Sequence, residues 1–151
     1  MIGLLQRVSH AEVRVAGELV GEIGRGLMVL VAVHRDDTGQ DVARLAERLL
    51  GYRVFPDEAG RMNRSVRDID GGLLLVPQFT LTADTKKGTR ASFTRGAPPD
   101  KASAFFDDLV TACRRELDTV ETGRFGADMQ VTLTNDGPVT FWLDTRSGSV
   151  T

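Results

Sequence analysis

Two histidines and one cysteine are all that this 151-residue chain offers as soft metal ligands or near-neutral bases. His10 and His34 show no ligand partners beside them, so no zinc site or other metal is expected. A single cysteine excludes an internal disulfide and fits a reducing compartment. Cys113 also falls on the apolar face of a predicted helix and reads as inert packing. Gly21-Glu22-Ile23-Gly24-Arg25-Gly26 has the wrong glycine spacing for a dinucleotide loop, and Lys87-Gly88-Thr89 lacks the upstream glycine of a phosphate loop. No cofactor is expected. No stretch approaches the roughly 20 apolar residues of a membrane span, and Met1–Arg7 lacks the features of a secretory signal. The reading is a soluble, cytoplasmic protein with no membrane partner. Net charge is −2, so no global field announces nucleic acid, and no helix carries a basic face suited to duplex DNA.

What is present suits one domain, residues 1–145, with 146–151 as a loose tail. Alternation predicts strands over 2–8, 11–16 and 19–23. Leu27–Val33 is continuously apolar, as in a strand buried on both faces. Val42, Leu45, Ala46, Leu49 and Leu50 form one helical stripe that ends near Gly51. Val54-Phe55 reads as a short strand, followed by a turn and an arginine cluster (Arg61, Arg64, Arg67) around Asn63. A second buried strand starts at Leu73 and is expected to run through Leu81. Pro99 suits the first turn of a second helix, with Phe105, Phe106, Leu109, Cys113 and Leu117 as its core stripe. The fold class is α+β: a mostly antiparallel sheet or open barrel with two amphipathic helices packed on it. The acidic pairs Asp36-Asp37 and Asp107-Asp108 read as solvated charge.

Three stretches remain for function. Asn135-Asp136-Gly137, between alternating strands, predicts a tight hairpin turn. Pro138 is awkward there, because it removes an N–H where the returning strand should begin. In Pro77-Gln78-Phe79-Thr80, polar residues interrupt an apolar strand; a ligand wall and a solvent-facing strand pair satisfy the spacing of Gln78 and Thr80 equally. The irregular run from Thr82 to Pro98 carries Lys86, Lys87, Arg90 and Arg95 beside Phe93. It could hold the phosphates of a short RNA end with one base or sugar stacked, or be a plain solvated loop. With no side-chain triad, metal or cofactor in view, an enzyme here would act on an already labile bond through main-chain N–H groups.

The residues then resemble a known family. Leu4-Leu5-Gln6-Arg7-Val8, Gly123-Arg124-Phe125-Gly126-Ala127-Asp128-Met129 and Asp136-Gly137-Pro138-Val139-Thr140 are similar to the bacterial and eukaryotic D-aminoacyl-tRNA deacylases (the D-Tyr-tRNA deacylase family) over nearly the whole length. The family motifs Ser-Gln-Phe-Thr and Gly-Pro-Val-Thr stand here as Pro77-Gln78-Phe79-Thr80 and Gly137-Pro138-Val139-Thr140.

The resemblance implies a homodimer with sites at the subunit interface. It implies hydrolysis of D-aminoacyl-tRNA at the 3′ end, with the L form rejected, and of glycyl-tRNA mischarged on alanine tRNA. Gln78, Phe79 and Thr80 would form the catalytic wall. Gly137 and Pro138, joined by a cis bond, would exclude L side chains, with Arg7 orienting the loop and Met129 lining the pocket. Lys86, Lys87, Arg90 and Arg95 would hold tRNA. Pro77 departs from the family serine, which leaves a non-catalytic tRNA-end binding module as the alternative.

Overall fold

The computed structural model describes residues 1–146. The elements run β1 (Ile2–Val15), β2 (Glu18–Ile23), β3 (Gly26–Ala32), α1 (Gly39–Gly51), β4 (Phe55–Pro56), β5 (Met62–Arg64), β6 (Gly72–Pro77), a 3₁₀ turn (Phe79–Thr82), α2 (Pro99–Arg114), β7 (Val120–Thr122) and β8 (Gln130–Asp144). The main sheet has the order β2-β1-β3-β6-β7, with β8 along the other edge of β1. It curls almost closed: a Cβ on Gly21 of β2 would lie 2.6 Å from the Thr122 carbonyl oxygen of β7. The fold class is α+β, as expected.

The two continuously apolar strands explain the layering. On β3 and β6, Leu27, Val29, Val31, Leu73 and Leu75 pack toward the helices, against Leu45, Leu49, Phe106 and Leu109. Their neighbours Met28, Leu74 and Val76 point the other way and meet Val8, Val13 and Ile23 inside the curled sheet. A strand with period-2 side chains and apolar cover on both faces needs no polar positions. Helix α1 opens at Thr38, whose N–H donates to the Asp41 carboxylate at 2.8 Å in a capping box. Cys113 is fully buried on α2, and burial pushes its thiol up to about 12.

Several local expectations change. The strands predicted over 2–8 and 11–16 are one strand, because β8 pairs with β1 along its length and bridges the Ser9-His10 interruption. The sheet is mixed: β3–β6 and β6–β7 are parallel, with α1 and α2 in the crossovers. The strand expected through Leu81 ends at Pro77 and turns into the 3₁₀ segment, so Gln78 and Thr80 are not the outward pair of a strand.

The predicted hairpin at Asn135-Asp136-Gly137 does not form. Both flanks pair with β1 instead of with each other: Val8 faces Asn135 and Gln6 faces Thr140, so four residues of β8 oppose the single residue Arg7. Residues 136–139 are extruded as a large special bulge. Turn chemistry is read from a short window, whereas the pairing partner is β1, at the other end of the chain and outside any such window.

The acidic pair at 36–37 also divides. Asp37 is buried, accepts the His34 N–H at 2.7 Å and pairs with the Met1 amino group at 2.9 Å. His10 has carboxylate neighbours that spacing did not disclose. Strand pairing sets Glu22 opposite Glu12, and the His10 ring nitrogen lies 2.8 Å from Glu22 and 4.0 Å from Glu12. The cluster is on the surface and Arg14 already engages Glu12 at 2.6 Å.

Candidate active site

The parallel strands β3, β6 and β7 end together, and the chain leaving each builds one wall of a cavity of about 620 Å³. Crevices outside the carboxyl ends of parallel strands are common ligand sites, because neighbouring chains diverge there. The walls include Val33, Pro77, Gln78, Phe79, Phe93 and Met129. Phe79 is 64% exposed at the mouth, with the Phe93 ring against it at 5.3 Å in an edge-to-face pair. Phe125, exposed between Gly123 and Gly126, joins the same wall; it lies in the Gly123–Met129 segment that carries the family resemblance, of which only Met129 is expected in the pocket.

Polar groups concentrate at the 3₁₀ turn. The Gln78 N–H donates to the Val31 carbonyl at 2.7 Å and so ties the turn to β3. A helical turn leaves its first N–H groups without an acceptor inside the turn, here those of Phe79 and Thr80. The Thr82 hydroxyl donates to the Phe79 carbonyl at 2.8 Å, which holds the turn's shape from below. The Gln78 side-chain amide donates to the Thr80 hydroxyl. Among the described residues no imidazole or carboxylate is bonded to that hydroxyl. The arrangement can stabilise an oxyanion and order a small ligand.

Met129 lines the cavity and its sulfur accepts the Arg124 N–H at 3.3 Å. A Cβ on Gly123 would stand 2.8 Å from that sulfur, so the glycine leaves Met129 its place. The basic loop is partly ordered by Asp84, which pairs with Ser92 across an isolated bridge and with Arg95 at 3.3 Å. Lys86, Lys87 and Arg90 are exposed, and Phe93 ties this loop to the cavity wall.

Gly137, Pro138 and Arg7 are not part of this cavity. The Gly137-Pro138 bond is cis, and both residues are exposed on the bulge. Two clamps hold that bulge. The Asn135 side chain accepts the Val139 N–H at 2.8 Å and donates to the Thr140 hydroxyl at 2.9 Å. The Arg7 guanidinium donates to the carbonyls of Asp136 and Val54, each at 2.7 Å. One chain therefore carries a pocket with an uncovered aromatic rim and, separately, a rigid protrusion.

Next to Val33 of the pocket wall, His34 is buried, its Nε2 without a hydrogen bond among the described residues and 3.8 Å from the Asp144 carboxylate. Burial, then Arg146 and the Met1 amine, hold its pKa below 6.5 against the opposing pull of Asp37 and Asp144. A depressed imidazole destabilises the folded state once the unfolded chain binds a proton that the native one refuses. Stability is therefore expected to fall as pH drops below about 6.5, well above the range where carboxylates titrate. Urea denaturation at several pH values checks this, and His34→Gln should flatten the decline.

A family model described as D-Tyr-tRNA(Tyr) deacylase matches residues 4–144. The chain belongs to this family. It is similar to the D-aminoacyl-tRNA deacylase of Alkalilimnicola ehrlichii, 64% identical over 146 residues that cover 97% of each chain. A solved structure, the c-Myc DNA Unwinding Element Binding Protein, is 36% identical with a TM-score of 0.93, covering 97% of this chain and 100% of that one. A second, described as a probable eukaryotic D-amino acid tRNA deacylase, is 20% identical with a TM-score of 0.79 over 94% of this chain and 97% of that one; it shares the fold. Both signature segments of this deacylase family member, Pro77–Thr80 and Gly137–Thr140, lie inside the matched region. No helix among the described residues is long and apolar enough to cross a membrane.

Proposed function

We propose that this chain hydrolyses the ester linking a D-amino acid to the 3′ end of tRNA, in the cytoplasm, as a homodimer whose two sites each draw on both subunits. The observation that carries the reading is the division of the motifs: an uncovered pocket at Gln78-Phe79 and a clamped bulge at Gly137-Pro138 that stands outside that pocket. A second copy reconciles them, with the bulge of one subunit entering the pocket of the other.

In this arrangement water attacks the ester carbonyl carbon, and the oxyanion is held by the N–H groups of Phe79 and Thr80. The C–O bond to the ribose then breaks, the 3′ oxygen takes up a proton, and tRNA and free amino acid leave. The substrate's ammonium group and neighbouring hydroxyl already activate the ester, so no histidine base is required. The carbonyls of the bulge accept hydrogen bonds from that ammonium and crowd the position an L side chain would occupy. Glycine, lacking a side chain, passes the same filter, so mischarged glycyl-tRNA is a second substrate.

Thr80 positions Gln78 by this account, and Met129 sets the pocket floor. Pro77 can supply no N–H, and Gln78 spends its own on β3; the oxyanion donors are therefore the two residues after them. Lys86, Lys87, Arg90 and Arg95 contact the tRNA backbone.

Deacylation of D-, L- and glycyl-charged tRNA tests the reading. Release of the D-amino acid and of glycine with the L ester spared supports it. Salt-sensitive tRNA binding without turnover would favour a non-catalytic module in which Pro77 has cost the activity. Arg7→Ala is expected to lower kcat/KM on D-aminoacyl-tRNA at least tenfold, or about 1.4 kcal/mol. Arg7→Lys should recover only part, since one ammonium reaches both carbonyls less well than a guanidinium fork. Single-turnover kinetics on the two variants checks this.

A further inference from the structure

Arg61, Arg64 and Arg67, around Asn63, do not line the pocket, and the short ribbon they flank follows a segment that the fold sets beside the bulge. Arg7 binds the carbonyls of Asp136 and Val54 with one guanidinium, which bridges the chain entering β4 to the chain entering the bulge. Just after the bulge in sequence, the Phe141 ring meets that of Tyr52 at 5.4 Å. Residues 52–56 thus run alongside the protrusion, and β4 pairs with β5 to form a two-stranded ribbon.

The ribbon is stiff. Its turn is closed by the Asp57 carboxylate, which accepts the Ala59 N–H at 2.8 Å, the Arg61 N–H at 3.0 Å and the Asn63 side-chain amide at 2.8 Å. The charges are also sorted. Glu58 pairs with Arg64, and Arg67 pairs with Glu116 across to α2. Asp57 is occupied by its three donors, and Asp68 takes the Ser65 N–H at 2.8 Å; its carboxyl is held below the usual range chiefly by hydrogen bonds from Ser65, then by Arg67 and, last, Arg53. Arg53 and Arg61 remain, both exposed and, among the described residues, neither in an ion pair.

We propose that Arg53 and Arg61 of one subunit hold the phosphodiester backbone of the tRNA strand whose 3′ end lies in the other subunit's pocket. This rests on the dimeric deacylase reading above. If the bulge enters the opposite pocket, the ribbon beside it is carried to that pocket's mouth, where the last nucleotides must pass. The Lys86–Arg90 loop flanks the mouth from the other subunit, so the strand is gripped from both sides. A guanidinium presents paired donors that match a phosphate, and contacts of this kind carry affinity without reading sequence.

The test compares two substrates in the Arg53→Ala/Arg61→Ala double variant: D-aminoacyl-tRNA, and the same D-amino acid esterified to adenosine alone. The expected result is a rise in KM of about tenfold for the tRNA with kcat and the adenosine ester unaffected. The slope of log affinity against log salt for uncharged tRNA should shrink by between about 1 and 2. Arg53→Lys/Arg61→Lys should restore most of the binding. Equal losses on both substrates, or an unchanged salt slope, would overturn the proposal. Uncharged-tRNA binding is read without turnover. An inactive wild type whose salt slope still depends on these arginines would therefore sink the hydrolase reading and leave the ribbon contact standing.

Discussion

Gly137→Ala is expected to lower kcat/KM for D-aminoacyl-tRNA by about 100-fold while leaving the melting temperature within a few degrees of wild type. A Cβ at this position would collide with the Val139 backbone nitrogen and stand 2.7 Å from the Val139 Cγ2. Neither neighbour can retreat freely, because the Asn135 side chain holds the Val139 N–H. The bulge must open to accept the methyl group, and its carbonyls move with it. A displacement of about 1 Å in a positioning element is enough for an effect of this size. Global stability should change little, since residues 136–138 are exposed and outside the core. Single-turnover deacylation beside a thermal melt separates the two quantities. A variant with wild-type turnover would remove the bulge from the mechanism.

The second large effect is on stability. Gly26 and Gly72 face each other in the parallel β3–β6 pair, and a Cβ on Gly26 would run into the Gly72 carbonyl group and sit 2.7 Å from its nitrogen. The obstacle is the Gly72 backbone, so no side chain can rotate away. Gly26→Ala should therefore cost about 3 kcal/mol or more, at the upper end of overpacking effects. That corresponds to a melting temperature lower by roughly 6–12 °C for a chain of this size. Gly51→Ala is the control. It lies at the end of α1 with nothing within 4 Å of its Cβ and should be neutral or slightly stabilising. Equal melting temperatures for the two variants would mean that the strands tolerate separation.

Periodic features were legible from the sequence because a helical stripe or a doubly buried strand repeats over consecutive residues. Val42, Leu45, Ala46, Leu49 and Leu50 announced α1, and Leu27–Val33 announced a two-sided strand, both where the structure has them. The motif pair at 77–80 and 137–140 was also readable, and with it the family.

What it could not disclose was which strand each element meets. Asn135-Asp136-Gly137 has hairpin chemistry, yet β1 captures both flanks and the turn becomes a bulge. Asp37 has loop chemistry, yet the start of β1 brings an amino group onto it and buries it. Gln78 and Thr80 have strand spacing, yet the chain leaves the sheet at Pro77 because β3 ends beside it. Local composition determined which residues turn, alternate or cap. Contacts between residues far apart in sequence, whose energies depend on geometry that no short window contains, decided that Gly137-Pro138 is a clamped protrusion and that the pocket opens elsewhere.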